Sequence, residues 1–536
     1  MKKILLLSVI CIAAFTVKAQ LFINSSILQI QAGATVTVQG DITSNVDILG
    51  PGKVLLAGTS NQNITMGGFT IPNLEINNTA NATLLSNARI GTNLNFVNGK
   101  IILGNFNMKF ASSAMGTGGG TSNFLETTGT GQTQLEVAAD IPAVTPFIFP
   151  VGSGTDYMPL AVSNTGSSYS SAVIGVQNKG IADPNKHPRT ESYLTTYWPI
   201  TKTGITGGTT TATGTYIDPT RITGTEADLN GIYWDGTNWS LAGTTINTVT
   251  NTAGATVTTN TGDVYAMNKF VLAKMKAFLQ APYNTGTSLM DDFLRTNVAY
   301  VPGTLPASNL LPLADPYRTA TYSTSFPHIS NATAETIASS VLNDQVTPSK
   351  NVVDWVFLEL RNTVAPPTTV LQTRSALLLR DGSIVDVDGV SPVYFKNVDA
   401  GTFNIAVRHR IHLGLRTISP TSLALLSSPS TVDLTNNANT LSNFGALLTG
   451  GVYGMYAGNV NQNTNIRISG GSPAISDFEQ LKAILGASPL ISNTYSPGDV
   501  NMNRTVRISG GSPTISDYEY IKFVLGVSPL ISQPVH

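Results

Sequence analysis

The chain has 536 residues, a formal net charge of −1 and only 11% charged residues, against about 25% in ordinary soluble domains. It therefore lacks the basic surface that nucleic-acid binding requires, and its 41% hydrophobic content excludes wholesale disorder. Single cores rarely grow past ~250 residues, so this length predicts roughly three to five domains.

The chain opens with Lys2 and Lys3, an apolar run over residues 4–15, and the small residues Val17 and Ala19 ahead of Gln20. That order predicts a secretory signal at residues 1–19 and a secreted, extracellular or cell-surface protein. The single cysteine, Cys11, lies inside the apolar run, and Ile10 before it does not suit lipidation. An exported chain without a mature cysteine must hold its domains by burial, backbone pairing or metal ions. No later apolar stretch reaches the ~18 residues that span a bilayer, so no transmembrane segment is expected in the mature chain.

From residue 27 to 110 the apolar residues alternate in short runs: Val36 and Val38, Val54 and Leu56, Leu74 and Ile76, Leu94 and Phe96, Ile101 and Leu103, Met108 and Phe110. Period two marks strands, and Asn and Gly turns separate them. A β-solenoid and an antiparallel sandwich both fit this spacing. The likeness of the rungs favours a β-solenoid-like region over residues 20–145. Residues 146–273 read as a β-sandwich, and residues 274–455 as a second, with strands at 352–361, 375–380, 384–387 and 403–410. The expected class is mainly β and multidomain.

Residues 456–536 carry an internal duplication at an offset of 40. The run from Asn459 to Pro473 returns from Asp499 to Pro513. Each copy then enters a helix with a Ser-x-x-Glu capping box, Ser476 with Glu479 and Ser516 with Glu519, and ends at Gly486 or Gly526. Helices this short are marginal alone, so the two are expected to pack together. Each preceding loop sets oxygen side chains at alternate positions: Asn459, Asn461 and Asn463, then Asp499, Asn501 and Asn503. Asp477 and Asp517 stand at the helix starts. Alternating Asx residues in a tight loop suit Ca²⁺, a hard cation that takes six to eight oxygens.

Over residues 457–532 the tandem loop-helix units resemble a dockerin domain. The resemblance implies Asp499, Asn501, Asn503 and Asp517 as calcium ligands in one copy, and Asn459, Asn461, Asn463 and Asp477 in the other. It also implies a cohesin-like partner, while the preceding sandwich offers an intramolecular one. Thr464 and Arg504 stand where that family has glycine, and Ser-Gly-Gly-Ser-Pro lengthens each loop. The layout, with the stretches at residues 354–361, 386–389 and 407–414, also resembles adhesin-like or hemagglutinin-like bacterial surface proteins, which implies a carbohydrate or protein ligand at the cell surface.

No His-Glu-x-x-His or Gly-x-Ser-x-Gly motif is present, and acids are sparse in the solenoid-like region. The chain therefore reads as a non-catalytic binding or structural protein. The alternative is a carbohydrate-active enzyme or scaffold component recruited through the dockerin-like tail. Arg408, Arg410 and His412 share one face of an expected strand and read as charge pairs on the solvent side of a sheet. Trp355 reads as core, while Trp234 and Trp239 are candidates for stacking on a sugar.

Overall fold

The computed structural model describes residues 19–296, 301–364, 369–427, 429–470, 475–510 and 515–532. The export signal expected at residues 1–19 lies, apart from Ala19, outside them, as does most of each Ser-Gly-Gly-Ser-Pro insertion. The chain is mainly β, 41% strand against 8% helix, so interstrand pairing carries the fold. It separates into two compact units, Met1–Asn268 and Lys269–His536. Among the described residues no helix is long and apolar enough to cross a membrane.

The first unit begins with a β-solenoid of about five turns. One face stacks parallel strands in the order Leu21–Ile23, Ile42–Ser44, Gln62–Thr65, Ala82–Leu84, Ile101–Ile102, Leu125–Glu126 and Val151–Ser153. A second face stacks Thr35–Val38, Lys53–Leu56, Thr70–Asn77, Ala88–Asn98, Met108–Phe110 and Thr133–Glu136. The alternating apolar residues point inward and align in columns: Val54 opposite Leu74, and Leu74 opposite Leu94, all at most 1% exposed. Each turn of the coil leaves backbone groups to satisfy, and side-chain amides meet that need from rung to rung. Asn45 accepts from Ser25 N–H at 2.8 Å, Asn87 from Asn107 N–H at 2.8 Å and Asn107 from Gln132 N–H at 2.9 Å. This accounts for the Asn residues that recur along the rungs.

The parallel stack ends where Thr133–Glu136 pairs antiparallel with Ser168–Val176. The large sheet then continues antiparallel through Trp198–Thr206 and Thr261–Asn268, while Phe147–Phe149, Leu160–Asn164, Thr210–Thr215, Thr252–Thr256 and Thr245–Asn247 build a separate five-stranded sheet. Trp198 of the large sheet is wholly buried and donates from Nε1 to the Met158 carbonyl at 2.9 Å. Its ring fills the space that a Cβ at Gly214, on the five-stranded sheet, would take, 2.5 Å from the nearest ring atoms.

The second unit is built on a nine-stranded sheet with Val352–Arg361 at its centre, flanked by Val370–Leu379 and Gly401–His409. All ten residues of the central strand are buried, so both its faces are covered. Part of the cover is coil between residues 291 and 350. Tyr317 Oη donates to the Trp355 carbonyl at 2.9 Å, and Trp355 Nε1 to the Pro312 carbonyl at 3.0 Å. Tyr317, Tyr322 and Phe326 pack together, and Tyr317 and Phe326 lie against Phe357.

The expected solvent-side patch of Arg408, Arg410 and His412 is corrected by this architecture. The strand stops at His409, Arg410 and Ile411 form the hairpin turn, and the next strand begins at His412. Strict alternation breaks at that turn, and all three side chains are buried. Trp355 is core, as expected.

Candidate metal centre in the C-terminal repeat

Each repeat contributes a loop, a helix and a two-residue strand on either side of it, the helices being α1 (Asp477–Leu485) and α2 (Asp517–Leu525). The helices start on Ser476 and Ser516, whose side chains accept from the N–H groups of Glu479 and Glu519. In α1 the Glu479 carboxylate also reaches back to Ser476 N–H at 3.0 Å, completing the capping box. The Glu519 carboxylate meets Lys522 at 3.1 Å. Leu481, Leu485, Ile521, Val524 and Leu525 form one core with Val460, Ile466, Val500 and Val506, and the Phe478 and Tyr518 rings stack with centroids 4.0 Å apart. The copies also interlock: Asn465–Ile466 pairs with Ile531–Ser532, and Ile491–Ser492 with Thr505–Val506. The two helices do pack together, and each copy is completed by the other.

The predicted loop ligands of each copy share one turn, and the aspartate at the helix start faces it. In the second copy Asp499 accepts from Asn503 N–H at 2.9 Å and Arg504 N–H at 2.8 Å. Asn501 accepts from Asn503 N–H at 3.2 Å, and Asn503 from Thr505 N–H at 3.0 Å. Asp517 reaches back into the turn, accepting from Val500 N–H at 2.7 Å and Arg507 N–H at 2.8 Å. A carboxylate has about four lone-pair sites, so these bonds fix the oxygens and still leave acceptor capacity. Burial pushes Asp499 up to about 6, against the opposing pull of Arg410. Burial together with the Asp499 charge pushes Asp517 up to about 8. Two buried carboxylates, one of which raises the other's cost of ionisation, are an arrangement a cation relieves.

The first copy repeats the turn with less charge. Asp477 accepts from Asn461 N–H at 3.2 Å and Arg467 N–H at 2.9 Å, and burial raises it to about 7. Asn463 accepts from Asn465 N–H at 2.8 Å. Asn459 donates to the Asn463 carbonyl at 2.9 Å, while its Oδ1 is buried with no hydrogen-bond partner.

The repeat is fastened to the sheet of its own unit. Arg504 has φ +77°, a backbone that favours glycine. The side chain is kept because its guanidinium donates to the Phe293 carbonyl at 2.8 Å and the Ser308 carbonyl at 2.6 Å. The linker between the copies is held by Asp354, which accepts from Tyr495 Oη at 2.7 Å and Arg410 Nε at 2.9 Å and meets His409 Nε2 at 3.1 Å. Burial opposes ionisation of Asp354, but Arg410 and His409 outweigh it and hold the carboxyl at about 2. Arg410 lies over the Tyr495 ring and donates to the Ser496 carbonyl at 2.6 Å. Burial pushes His409 and His412 down. These anchors are hard to find in a sequence because the partners are 55 to 211 residues apart.

A separate cluster lies in the first unit. Trp234 and Trp239 face each other across a strand pair, ring centroids 5.2 Å apart. Trp239 also lies 5.8 Å from Tyr265 and is pinned through Nε1 to the Asn185 carbonyl at 3.1 Å. Asp263 is the cross-strand neighbour of Trp234. Burial and the Asp183 charge push Asp263 up to about 7, and burial pushes Asp183 up to about 6. Asp183 Oδ2 is buried without a hydrogen-bond partner.

Comparison of the chain with family models, with curated proteins and with solved structures gives no match.

Proposed function

We propose that this is a secreted or cell-surface, non-catalytic, adhesin-like protein whose β-domains bind or bridge a carbohydrate or protein ligand. In this reading the antiparallel sheets of each unit form β-sandwich domains, and the C-terminal repeat is a dockerin-like module stabilised by calcium. The observation that carries the reading is that Asp517, at the start of α2, reaches back to the turn that holds Asp499, Asn501 and Asn503, with both aspartates buried and raised. The unpartnered Asn459 Oδ1 at the matching position of the first copy supports it. With no mature cysteine, a cation selective for the folded state adds stability by mass action, about 2.7 kcal/mol at a hundredfold excess over Kd. The bonds of Arg504, Tyr495 and Arg410 favour an intramolecular partner for the module over a cohesin-like one.

The test is thermal melting of the full chain. Chelation is expected to lower Tm, and Ca²⁺ but not Mg²⁺ to restore it. A melting curve indifferent to chelation and calcium overturns the reading.

A second reading, a carbohydrate-active enzyme, is favoured by the raised Asp183 and Asp263 beside Trp234 and Trp239. Paired carboxylates do acid and base work on glycosidic bonds. Turnover of a polysaccharide that is lost in both Asp183→Asn and Asp263→Asn would replace the first reading with this one.

A further inference from the structure

We propose that Asp315, His328 and Glu335 form a second metal site, for a divalent first-row transition ion such as Zn²⁺, which ties together the segment that covers the sheet of the second unit. One oxygen or nitrogen from each of the three residues lies within 4.8 Å of the others, and Asp315 Oδ2 stands 2.8 Å from His328 Nε2. Asp315 and Glu335 are only 3% and 4% exposed. Glu335 Oε2 is buried with no hydrogen-bond partner, a costly state for a carboxylate oxygen unless something fills its place.

Each ligand is aimed by contacts of its own. Asp315 caps the turn Pro316–Arg318, its Oδ1 accepting from Tyr317 N–H at 2.9 Å, which leaves Oδ2 facing His328. The His328 ring stands edge-on to Phe357, centroids 5.0 Å apart. Glu335 Oε1 accepts from Ser375 N–H at 3.3 Å and from the Asn331 amide, which leaves Oε2 for the ion.

Two arginines flank the group and fall short of completing it. Arg318 Nε is 3.4 Å from Asp315 Oδ2, and its Nη2 is 3.6 Å from Glu335 Oε2. Both are ion-pair distances longer than good hydrogen bonds. The guanidinium is held where it is by the carbonyls of Asn331 and Thr333, at 2.9 and 2.8 Å. Arg374 Nε is 3.7 Å from Glu335 Oε1, and its Nη2 is on Asp386 at 2.9 Å. These charges weaken cation binding without filling the place between Oδ2, Nε2 and Oε2.

One imidazole with two carboxylates suits zinc and its neighbours better than calcium, which takes oxygens only. Three protein ligands leave a fourth position for water. The site also answers a need of the fold. Between Met290 and Val352 the described residues contain no strand and only three short 3-10 helices, and a metal clip that closes a long loop stabilises most.

The test uses the untagged full chain, stripped by a chelator and titrated with Co²⁺ and then Zn²⁺. The expected result is one equivalent of Co²⁺ with visible absorption bands, displaced by Zn²⁺ and not by Ca²⁺. His328→Ala should abolish the bands, Glu335→Gln should weaken uptake by about tenfold or more, and the tail variant Asp499→Asn should leave them intact. Because His328→Ala could unfold the coil, zinc-edge X-ray absorption of the unmutated chain gives an independent reading, with an imidazole in the first shell expected. No transition-metal uptake, uptake unchanged by His328→Ala in a folded variant, or a shell without imidazole overturns the proposal and leaves an internal charge cluster.

Discussion

The Tyr495 hydroxyl donates to Asp354 Oδ1 across 2.7 Å, and this bond joins the linker of the C-terminal repeat to the central strand of the second unit. Hydrogen bonds to a buried charge contribute about 1.5–3 kcal/mol. Tyr495→Phe should therefore destabilise the second unit by that amount while keeping the ring under Arg410. Asp354→Ala should cost more, about 3–5 kcal/mol, because it strands a buried guanidinium. Denaturant unfolding and proteolysis within the tail check both. Equal stability of the two variants would mean that the network does not fasten the repeat.

Arg504→Gly separates backbone strain from side-chain anchoring. Glycine relaxes the positive φ, worth about 1 kcal/mol in its favour, but it deletes the donors to Phe293 and Ser308. We expect a net loss of stability and earlier cleavage of the tail in limited proteolysis. A more stable variant would show that the clamp contributes nothing.

In the first unit, burial and the Asp183 charge push the Asp263 carboxyl up to about 7, above its ordinary value. A raised folded pKa means that the native state holds the proton more tightly than the unfolded chain. The associated stability is present below the unfolded pKa and is lost as pH rises through about 7. The unit should melt lower at pH 8 than at pH 5. Asp263→Asn should flatten that slope and raise stability at pH 8 by ~1–2 kcal/mol after allowance for partial exposure. Calorimetry at the two pH values decides it.

Gly214→Ala places a methyl against the Trp198 ring, where a Cβ meets atoms at 2.5 Å. Overpacking of this kind costs about 1–3 kcal/mol. Quenched or shifted tryptophan emission together with a lower Tm is the expected signature, and an unperturbed variant would mean that the two sheets part easily at this point.

Much of this architecture is legible in the sequence where a local period controls it. Val54, Leu74 and Leu94 announce a stack because each inward residue meets its like one rung away. The duplicated turns announce a helix pair because the caps and the apolar face repeat together. The buried charges escape such reading. Arg410 sits in a hairpin turn, where alternation stops, and its partners Asp354 and Ser496 are far off in the chain. Asp315, His328 and Glu335 lie in coil without periodicity, so only the folded chain brings them together. Asp183 is signalled by nothing more than a turn at Asp-Pro-Asn, and its nearness to Asp263 is a product of the sheet.

The reversal of strand direction at Thr133–Glu136 and Ser168–Val176 has a bearing on assembly. A coil of parallel rungs ordinarily offers its last rung as a template on which another molecule can continue the stack. Here that template is already occupied by the chain's own returning strand, which runs the opposite way. Fibre growth from that end is barred by the molecule itself, and the protein can carry a repetitive spine without becoming a filament there.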